Sequence, residues 1–574
     1  MSGAKRHKYI FVIGGVMSGV GKGIATSSIG TILQAKGFSV SLMKIDPYLN
    51  VDAGTMNPTE HGEVFVLNSG LETDQDMGNY ERFLGRDLLP EDYMTSGMVY
   101  QHVIEKERAL GYKGKFVEAI PHVTDEIRGR FLRAAEVSQS DISVIEIGGT
   151  VGDYQNFLFI EAARVLRLRQ PADVVFVLVS YLPVPGTIGE MKTKPTQTAV
   201  HQLNSYGIQP DFIIARGPVA LDGKRKEKLA VWCNVEAERV ISAPDIESIY
   251  EVPLNFEKEN LGNLLLQALS LKTRRRRDGL EKWKKFVSRA QSAKEEVKIA
   301  VIGKYFDTGD FILSDAYISV IEAIKHSAYA LGRKPALAWL NAKDFDPKSD
   351  DGSGKAMAKE VATLRDFDGV IVPGGFGETG IEGKIKVIQF ARENKIPYFG
   401  LCYGMQLAVV EFARHVAGLK DANTTEINKE TPYPVIDIMP EQKKHMAAGK
   451  YGATMRLGAY PCVLKPGTAA FKAYVGSKSG NYKLKTENYK LISERHRHRY
   501  EVNPEYIAAL EKAGLIFSGA SPDGVLMEIA ELPRRAHPFF LGTQFHPELQ
   551  ARPLAPHHLF TAFLKAAAER GKKR

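Results

Sequence analysis

Short apolar runs alternate with amphipathic stretches along most of this 574-residue chain. Runs typical of buried strands cover residues 8–13, 39–45, 142–147, 173–180 and 211–215 in the first half, and 297–302, 370–372 and 397–400 in the second. Helical patterns lie between them. Strands that alternate with helices form mostly parallel sheets covered on both faces. The sequence therefore predicts two successive α/β blocks.

One charged stretch separates the two blocks. It begins with the densest basic run of the chain, Lys272-Thr-Arg-Arg-Arg-Arg277, and charged residues continue to Lys298. We therefore predict a first domain over 1–271, an interdomain linker over 272–296 and a second domain over 297–574. A basic run can also bind nucleic acid, but no interleaved aromatic residues accompany this one. We predict a solvated linker and no nucleic-acid partner.

Composition indicates a soluble globular protein. Hydrophobic residues make up 44% and charged residues 25%, and no apolar stretch is long enough to cross a bilayer. The net charge of +9 fits anionic substrates, although a solvated surface explains it equally well. Cys233, Cys402 and Cys462 lie far apart without the spacing of a metal site. Free thiols suit a reducing compartment, so we predict a cytoplasmic protein with no membrane contact.

A glycine-rich turn follows the first apolar run, in Gly14-Gly-Val-Met-Ser-Gly-Val-Gly-Lys-Gly23. Such a turn before a helix presents backbone N–H groups, a helix dipole and a lysine to a phosphate. It departs from a regular Walker A in two ways. The first glycine of the motif stands five residues rather than four before Gly21-Lys22, and Gly23 replaces the Ser/Thr that binds magnesium. A plain turn is the alternative; a signal peptide is rejected because no cleavage-like site ends the run. The predicted phosphate-binding residues are Ser18, Gly19, Val20, Gly21, Lys22 and Gly23.

A second chemical pattern begins near residue 400. The strand-like 396–400 runs into Leu401-Cys402-Tyr-Gly404 and then a helical pattern. A cysteine between small residues at a strand-to-helix turn is a nucleophile elbow, with backbone N–H groups free for an oxyanion. His546 would be the base, and Glu548, on the same side of an extended segment, would orient it. A lone cysteine is more often a buried apolar residue.

Together with Pro373-Gly-Gly-Phe-Gly377, these residues resemble the class I glutamine amidotransferases. Over almost its whole length the chain also resembles the CTP synthase family, which aminates UTP to CTP with glutamine and ATP. The motifs that carry this resemblance are the glycine-rich turn, Lys44-Ile-Asp-Pro-Tyr-Leu-Asn50, Glu60-His-Gly-Glu-Val-Phe-Val66, Ile145-Glu-Ile-Gly-Gly-Thr-Val-Gly-Asp153, Met191-Lys-Thr-Lys-Pro-Thr-Gln197 and Glu494-Arg-His-Arg-His-Arg-Tyr500. It implies an N-terminal doubly wound, P-loop-like parallel-sheet domain of the dethiobiotin-synthetase type and a C-terminal class I glutamine amidotransferase α/β domain.

The resemblance also implies roles for residues of the first block. Lys22, Lys44 and Asp76 would surround the ATP phosphates. Asp76 and Glu146 would bind Mg²⁺ through hard carboxylate oxygens, in place of the hydroxyl missing at Gly23. The residues implied for UTP, or for CTP as a feedback inhibitor, are Ser18, Asp153, Gln155, Lys192, Lys194, Gln197 and Lys228. Those implied for the ammonia passage are Pro58, His61 and Val64.

In the second block, the resemblance implies an oxyanion hole made by the N–H groups of Gly375 and Tyr403. Gly375, Gln406, Glu426 and Arg499 would hold glutamine, since a guanidinium suits its α-carboxylate and a carboxylate suits its α-ammonium. The sequence departs from the family at four positions: Thr379 replaces an arginine in the lid linked to GTP activation, Gln155 a glutamate, Glu118 a glutamine and Tyr403 a leucine. Altered responses to GTP and CTP are therefore expected.

The expected protein is a glutamine-hydrolysing ligase of pyrimidine nucleotide biosynthesis, a homotetramer able to form filaments. Its substrates would be UTP, ATP and glutamine, with Mg²⁺ as cofactor and GTP as activator. One rival is another ATP-dependent amidotransferase, such as a corrinoid side-chain amidase. The Lys192-Thr-Lys-Pro-Thr-Gln197 segment and the N-terminal position of the synthetase argue against it. A non-catalytic filament subunit is a second rival, and the complete set of catalytic positions argues against that as the sole role.

Overall fold

The computed structural model describes residues 6–186, 189–274, 279–303, 314–346, 355–375, 377, 380–439, 442, 454–476, 484–486 and 489–574. The chain divides into two compact units. The first comprises Met1–Ala53 and Asp76–Val287, and the second comprises Gly54–Gln75 and Ser288–Arg574. The sequence predicted a single boundary within 272–296. The structure differs from that prediction because Gly54–Gln75 packs with the C-terminal part of the chain.

A seven-stranded, fully parallel sheet forms the centre of the first unit. Its order from edge to edge is Tyr93–Thr95, Val40–Asp46, Ile142–Ile147, Lys8–Gly14, Val174–Tyr181, Phe212–Gly217 and Val240–Pro244. Every residue of Lys8–Gly14 and Ile142–Ile147 is buried. Helices cover both faces, which accounts for the uninterrupted apolar runs in the sequence. The predicted α/β parallel-sheet fold is confirmed.

The helices of the first unit alternate with its strands. They are Lys22–Ala35, Asp76–Leu84, Ser96–Arg108, Thr124–Ser138, Phe157–Arg169, Lys194–Ser205, Gly223–Cys233, Val252–Lys258 and Leu261–Ala268. A further helix, Glu281–Ser292, lies within the stretch predicted to be a solvated linker. Its Trp283 and Phe286 are buried, and Trp283 Nε1 donates to the Tyr250 carbonyl at 2.6 Å. This part of the predicted linker is therefore packed, because two apolar side chains three residues apart share one helix face.

The second unit contains a ten-stranded mixed sheet. Its order is Lys334–Asn341, Glu296–Gly303, Gly369–Val372, Tyr398–Leu401, Phe540–Thr543, Met527–Glu531, Ile516–Ala520, Arg456–Leu464, Tyr489–His498 and Leu484–Thr486. The first five strands run parallel. The remaining neighbours are antiparallel. The sequence predicted three of the five parallel strands, including the one that leads into the nucleophile elbow, and missed Lys334–Asn341 and Phe540–Thr543.

Two small sheets complete the second unit. A three-stranded sheet joins Ala422–Thr424, Tyr433–Ile438 and Tyr500–Val502, and a hairpin pairs Phe65–Val66 with Glu72–Thr73. The helices are Pro58–His61, Ile318–Ala330, Lys355–Ala362, Ile381–Glu393, Tyr403–His415, Ala469–Val475, Pro504–Ala513 and His558–Gly571. Across the described parts of both units, no helix has the length and apolar character needed to cross a membrane.

Candidate active site

Cys402 lies at a strained turn between the strand Tyr398–Leu401 and the helix Tyr403–His415. Its φ of 49° and ψ of −99° are unusual for a residue with a side chain, as expected of a nucleophile elbow. The turn also needs small neighbours, because a Cβ added to Gly404 would overlap the Val372 carbonyl. Tyr403 begins the helix, and backbone N–H groups at the start of a helix are suited to an oxyanion.

His546 and Glu548 form the predicted pair of base and carboxylate. Nδ1 of His546 lies 2.7 Å from Oε1 of Glu548. The sequence predicted that the two residues share an extended segment, and this was wrong. Instead, Pro547–Gln550 forms a 3₁₀ turn with His546 as its N-cap. Proline at the first helical position favours this turn. The turn brings the carboxylate of Glu548 back onto the ring of His546.

Cys402 and His546 converge on the backbone of Gly374. A Cβ added to Gly374 would lie 2.9 Å from Cε1 of His546 and 3.7 Å from Cβ of Cys402. Within the described part of the chain, the buried Nε2 of His546 has no hydrogen-bond partner at ordinary distance and angle, and Cys402 is close enough to influence the ring. This nitrogen is the one that a base needs for a thiol or a leaving group, since Nδ1 is held by Glu548.

Electrostatics favour a protonated His546. Burial alone would lower its pKa, but the charges of Glu548 and of a Cys402 thiolate outweigh burial and raise the pKa well above 6.5. A charged imidazolium next to a thiolate is the arrangement that makes a cysteine a nucleophile at neutral pH. Burial raises the pKa of Cys233 to about 11 and holds that of Cys462 well above its usual range.

Two residues that sequence reasoning did not assign lie against the nucleophile. Nε2 of Gln544 lies 3.6 Å from the sulfur of Cys402, and the carbonyl of Arg497 lies 3.8 Å from it. Both belong to motifs noted in the sequence, 544–548 and 494–500. The signal was therefore present, but nothing in the motifs indicated which members reach the cysteine.

The predicted glutamine-binding residues make hydrogen bonds within the second unit. Gln406 donates to the carbonyl of Tyr500 at 2.9 Å, and Glu426 accepts the N–H of Gly377 at 2.9 Å. Arg499 donates to the side chains of Gln442 and Thr454 at 2.7 and 2.9 Å. Gly375 lines the cavity that also contains Cys402. Thr379, the departure linked to GTP, lies outside the described residues.

A cavity of about 80 Å³ opens next to Cys402. Its lining includes His546, Glu548 and Arg497 together with three residues of the 54–75 segment, Pro58, Glu63 and Val64. Pro58 and Val64 are two of the three residues predicted for the ammonia passage. The third, His61, is an exposed residue of the helix Pro58–His61. The carboxylate of Glu63 accepts the N–H of Ser319 at 3.2 Å and also its hydroxyl.

The glycine-rich turn of the first unit lies between a buried strand and a helix, as predicted. Gly19 and Gly21 adopt positive φ angles of 69° and 80°, and the helix begins at Lys22. Ser18 and Gly19 are exposed, whereas Val20 and Gly23 are buried. Nζ of Lys22 donates to the carbonyl of Gly149 at 2.8 Å. Backbone N–H groups and a lysine therefore meet at the end of a buried strand, as phosphate binding requires.

Three carboxylates surround the ammonium group of Lys44. It lies 2.5 Å from Asp76, 2.9 Å from Glu146 and 3.7 Å from Asp46. In the described part of the chain, no three His, Cys, Asp or Glu side chains already form a metal-binding group. Asp76 and Glu146 nevertheless fit Mg²⁺, because they offer hard oxygens and together carry more negative charge than Lys44 balances. Asp76 also lies against Gly23, where a Cβ would be 2.8 Å from its Cγ.

Burial and charge oppose one another in this cluster. Burial would raise the pKa of Asp76, but the charge and hydrogen bond of Lys44 outweigh it and lower the pKa below its ordinary value. Burial prevails at Asp46 and raises its pKa. Burial likewise lowers the pKa of Lys22. Uneven compensation of this kind is typical of functional sites.

An apolar pocket next to the phosphate loop was not predicted from the sequence. Gly21 lines it together with Ile214, Ala243, Val252 and Phe256. Arg216 also lines it and is ion-paired with Asp245 at 2.9 Å. The residues come from four separate parts of the chain, so no local motif identifies them.

The predicted UTP residues are described but not joined into one network. Asp153 accepts the N–H of Thr150 at 2.7 Å, and Lys192 pairs with Glu190 at 2.6 Å. Lys194 begins the helix Lys194–Ser205, in which Gln197 is buried. Gln155 and Lys228 are exposed. Their pyrimidine-binding roles stay predictions.

The fold and elbow of the second unit define a class I glutamine amidotransferase, and the first unit is a phosphate-loop domain. Residues 8–271 match the family model for the CTP synthase N-terminus, and residues 312–566 match the class-I glutamine amidotransferase model. The chain belongs to the CTP synthase family, and the expected enzyme class, a glutamine-hydrolysing ligase, is confirmed.

Similar proteins span almost the whole chain. A CTP synthase of Caldanaerobacter subterraneus subsp. tengcongensis is 47% identical over 560 residues, which is 97% of this chain and 98% of that protein. A CTP synthase of Thermococcus gammatolerans is 48% identical over 565 residues, or 98% and 99% of the two chains. The solved glutaminase domain of Trypanosoma brucei CTPS with bound acivicin is 35% identical, with a TM-score of 0.41, and covers 48% of this chain and 94% of that one.

Proposed function

We propose that this protein converts UTP to CTP, consuming ATP and taking nitrogen from glutamine or from ammonia. Glutamine is hydrolysed at Cys402, His546 and Glu548, and the ammonia passes within the protein to a UTP phosphorylated at O4. The observation that carries the proposal is the contact of 2.7 Å between His546 and Glu548 beside a strained Cys402. Family membership supplies the substrates.

The glutaminase steps take place at Cys402. Its thiolate attacks the amide carbon of glutamine, and the N–H groups of Gly375 and Tyr403 stabilise the oxyanion. His546 gives a proton to the departing nitrogen, so that ammonia leaves and a thioester remains. Water then attacks the thioester, with His546 as base, and releases glutamate. Glu548 keeps the imidazole oriented and charged.

The second reaction uses the phosphate loop. Lys22 and Lys44 hold the triphosphate of ATP while O4 of UTP attacks the γ-phosphorus and ADP leaves. Asp76 and Glu146 would hold Mg²⁺, which supplies positive charge to the phosphate oxygens when bound. Ammonia then displaces phosphate from C4, giving CTP. The residues that hold UTP, and hold CTP as a feedback inhibitor, are Ser18, Asp153, Gln155, Lys192, Lys194, Gln197 and Lys228.

We further infer activation by GTP, weakened by Thr379, and assembly into homotetramers that can form filaments. Pro58, His61 and Val64 belong to the ammonia passage. An enclosed passage is needed because ammonia released into water at neutral pH becomes ammonium, which is not a nucleophile. Pro58 and Val64, which line the cavity of Cys402, support this role.

The decisive test compares CTP formation from UTP and ATP with glutamine and with ammonium chloride. Cys402→Ala should abolish synthesis with glutamine and retain synthesis with ammonia, because only the first needs the thiol. Cys462→Ala is the matched control, since its thiol is buried in the same unit. Equal loss from Cys402→Ala with both nitrogen sources would reject the division of labour. Absence of CTP from the wild-type protein would reject the proposed function.

A further inference from the structure

A buried ion pair joins the 54–75 segment to the strand Tyr489–His498. Nε of Arg497 donates to Oε1 of Glu72 at 2.8 Å, and its Nη2 donates to the carbonyl of Gly54 at 3.4 Å. The side chain of Glu72 is 1% exposed and that of Arg497 is 14% exposed. A charge pair removed from water to this degree holds its geometry more firmly than an exposed pair, because each partner needs the other.

Arg497 is also part of the cavity next to the nucleophile. The carbonyl of Arg497 lies 3.8 Å from the sulfur of Cys402. Pro58 and Val64, which follow Gly54 in the same segment, line this cavity as well. Glu72 therefore fixes a residue whose backbone contacts the nucleophile and whose side chain contacts the 54–75 segment.

We propose that Glu72 is a positioning residue that closes the wall of this cavity, so that ammonia formed at Cys402 is retained instead of escaping to water. The inference rests on the proposed function. Without the carboxylate of Glu72, the buried guanidinium of Arg497 loses its ion-pair partner and moves towards water. The gap admits water, and ammonia that leaves through it becomes ammonium. Glutamine is then hydrolysed without amination of UTP.

The measurement is the amount of glutamate formed for each CTP formed, with glutamine, UTP and ATP present. The wild-type protein should give a ratio near one, because each ammonia released is used. Glu72→Ala should raise this ratio several-fold while the synthesis rate with ammonium chloride stays near that of wild type. Glu72→Gln should raise it less, because an amide oxygen still accepts from Nε of Arg497.

Asn68→Ala provides a matched control on the same segment. Asn68 accepts from Nε of Arg495 at 2.6 Å, two residues from Arg497 on the same strand, and Arg495 does not line the cavity. This variant loosens the segment but leaves the ion pair between Glu72 and Arg497 in place, so its ratio should stay near one. An increase equal to that of Glu72→Ala would assign the effect to general packing and overturn the proposal.

The ratio separates a specific role from a structural one. A merely structural role would slow glutamine hydrolysis in the Glu72 variants and leave the ratio at one, and that result overturns the inference. If Glu72→Ala does not fold, the ratio measured for Glu72→Gln decides in the same way. A wild-type protein that forms no CTP with either nitrogen source would reject the proposed function instead, and this inference with it.

Discussion

The carboxylate of Asp76 fills the space that a side chain on Gly23 would need. A Cβ added to Gly23 would lie 2.8 Å from Cγ of Asp76 and closer still to one carboxylate oxygen. Regular phosphate loops have Ser or Thr at this position, where the hydroxyl binds magnesium. Here an aspartate from another helix, Asp76–Leu84, brings its oxygen to the same place. Asp76 can occupy this position only because residue 23 has no side chain.

Gly23→Ser should therefore impair synthesis rather than restore a regular loop. The new side chain displaces Asp76 and with it the 2.5 Å contact to Lys44. We expect CTP formation with ammonium chloride to fall by about two orders of magnitude, the typical effect of losing a preorganised charge contact. Gly223→Ala, which has open space around it, is the control. Normal synthesis by Gly23→Ser would show that Asp76 can move without loss.

Glu146→Ala should remove synthesis with both nitrogen sources. Glu146 binds the ammonium of Lys44 at 2.9 Å and accepts the hydroxyl of Tyr80, so its loss disturbs the whole phosphate-binding cluster. A fall of about two to three orders of magnitude is expected, with the hydrolysis of glutamine retained. Asp173→Asn is the matched control, because Asp173 is buried and paired with Lys8 at the start of the neighbouring strand Lys8–Gly14. Near-normal ammonia-dependent synthesis by Glu146→Ala would refute its placement.

Much of this fold could be predicted from apolar runs. The predicted strand 142–147 has the observed bounds, and 8–13 differs from Lys8–Gly14 by one residue, because every position of a central parallel strand is buried. Tyr93–Thr95 was missed, since three residues are too few to form a pattern. The strand Arg456–Leu464 alternates in burial and was also missed. Local patterns identify strands buried on both faces better than edge or half-exposed strands.

Glu548→Gln should slow glutamine hydrolysis and change its pH dependence. The amide keeps the shape of the carboxylate but not its charge, and comparable changes in catalytic triads cost on the order of 10²–10⁴ in rate. Because Glu548 and Cys402 raise the pKa of His546 against the effect of burial, removing one charge lowers that pKa. The alkaline limb of the rate profile should therefore move to lower pH. Glutamate formation measured from about pH 6 to pH 10 tests this shift.

The same pKa predicts a trend in stability. A histidine whose pKa is raised by folding stabilises the native state fully below its unfolded value of about 6.5, and loses that contribution as pH rises through the folded value. Glu548→Gln should therefore lower the melting temperature most near pH 6, with a smaller difference from wild type at alkaline pH. A difference that grows with pH would contradict the raised pKa of His546.

Thr379→Arg should increase activation by GTP. An arginine offers an anionic nucleotide a forked, permanently charged donor that threonine lacks. Lys384, a candidate for supplying the missing charge, is fully buried, with its ammonium 5.6 Å from the ring centre of Tyr403. It is therefore a poor substitute. A GTP titration at fixed glutamine decides: strong activation of the wild-type protein, unchanged in Thr379→Arg, would show that this departure has no functional effect.

The candidate site was predictable in its chemistry but not in its surroundings. Cys402, His546 and Glu548 follow from motifs, because each motif has a recognisable turn or spacing. The contact between Glu72 and Arg497 does not, since 425 residues separate the partners and neither motif indicates the other. The 3₁₀ turn at Pro547–Gln550 was missed for a different reason. The contact between His546 and Glu548, which are two residues apart, can arise either from an extended strand or from a short turn. The sequence pattern does not distinguish these two conformations.

The assignment of Gly54–Gln75 to the second unit has a consequence for how this protein can be divided. A fragment that begins near residue 288 would contain Cys402, His546 and Glu548. It would lack Pro58, Glu63 and Val64, which line the cavity next to Cys402. Such a fragment would lack the Glu63 carboxylate that caps Ser319 and the Asn68 side chain that holds Arg495. Transplanting the glutaminase onto another synthetase would therefore require carrying along twenty-two residues that the chain encodes far upstream.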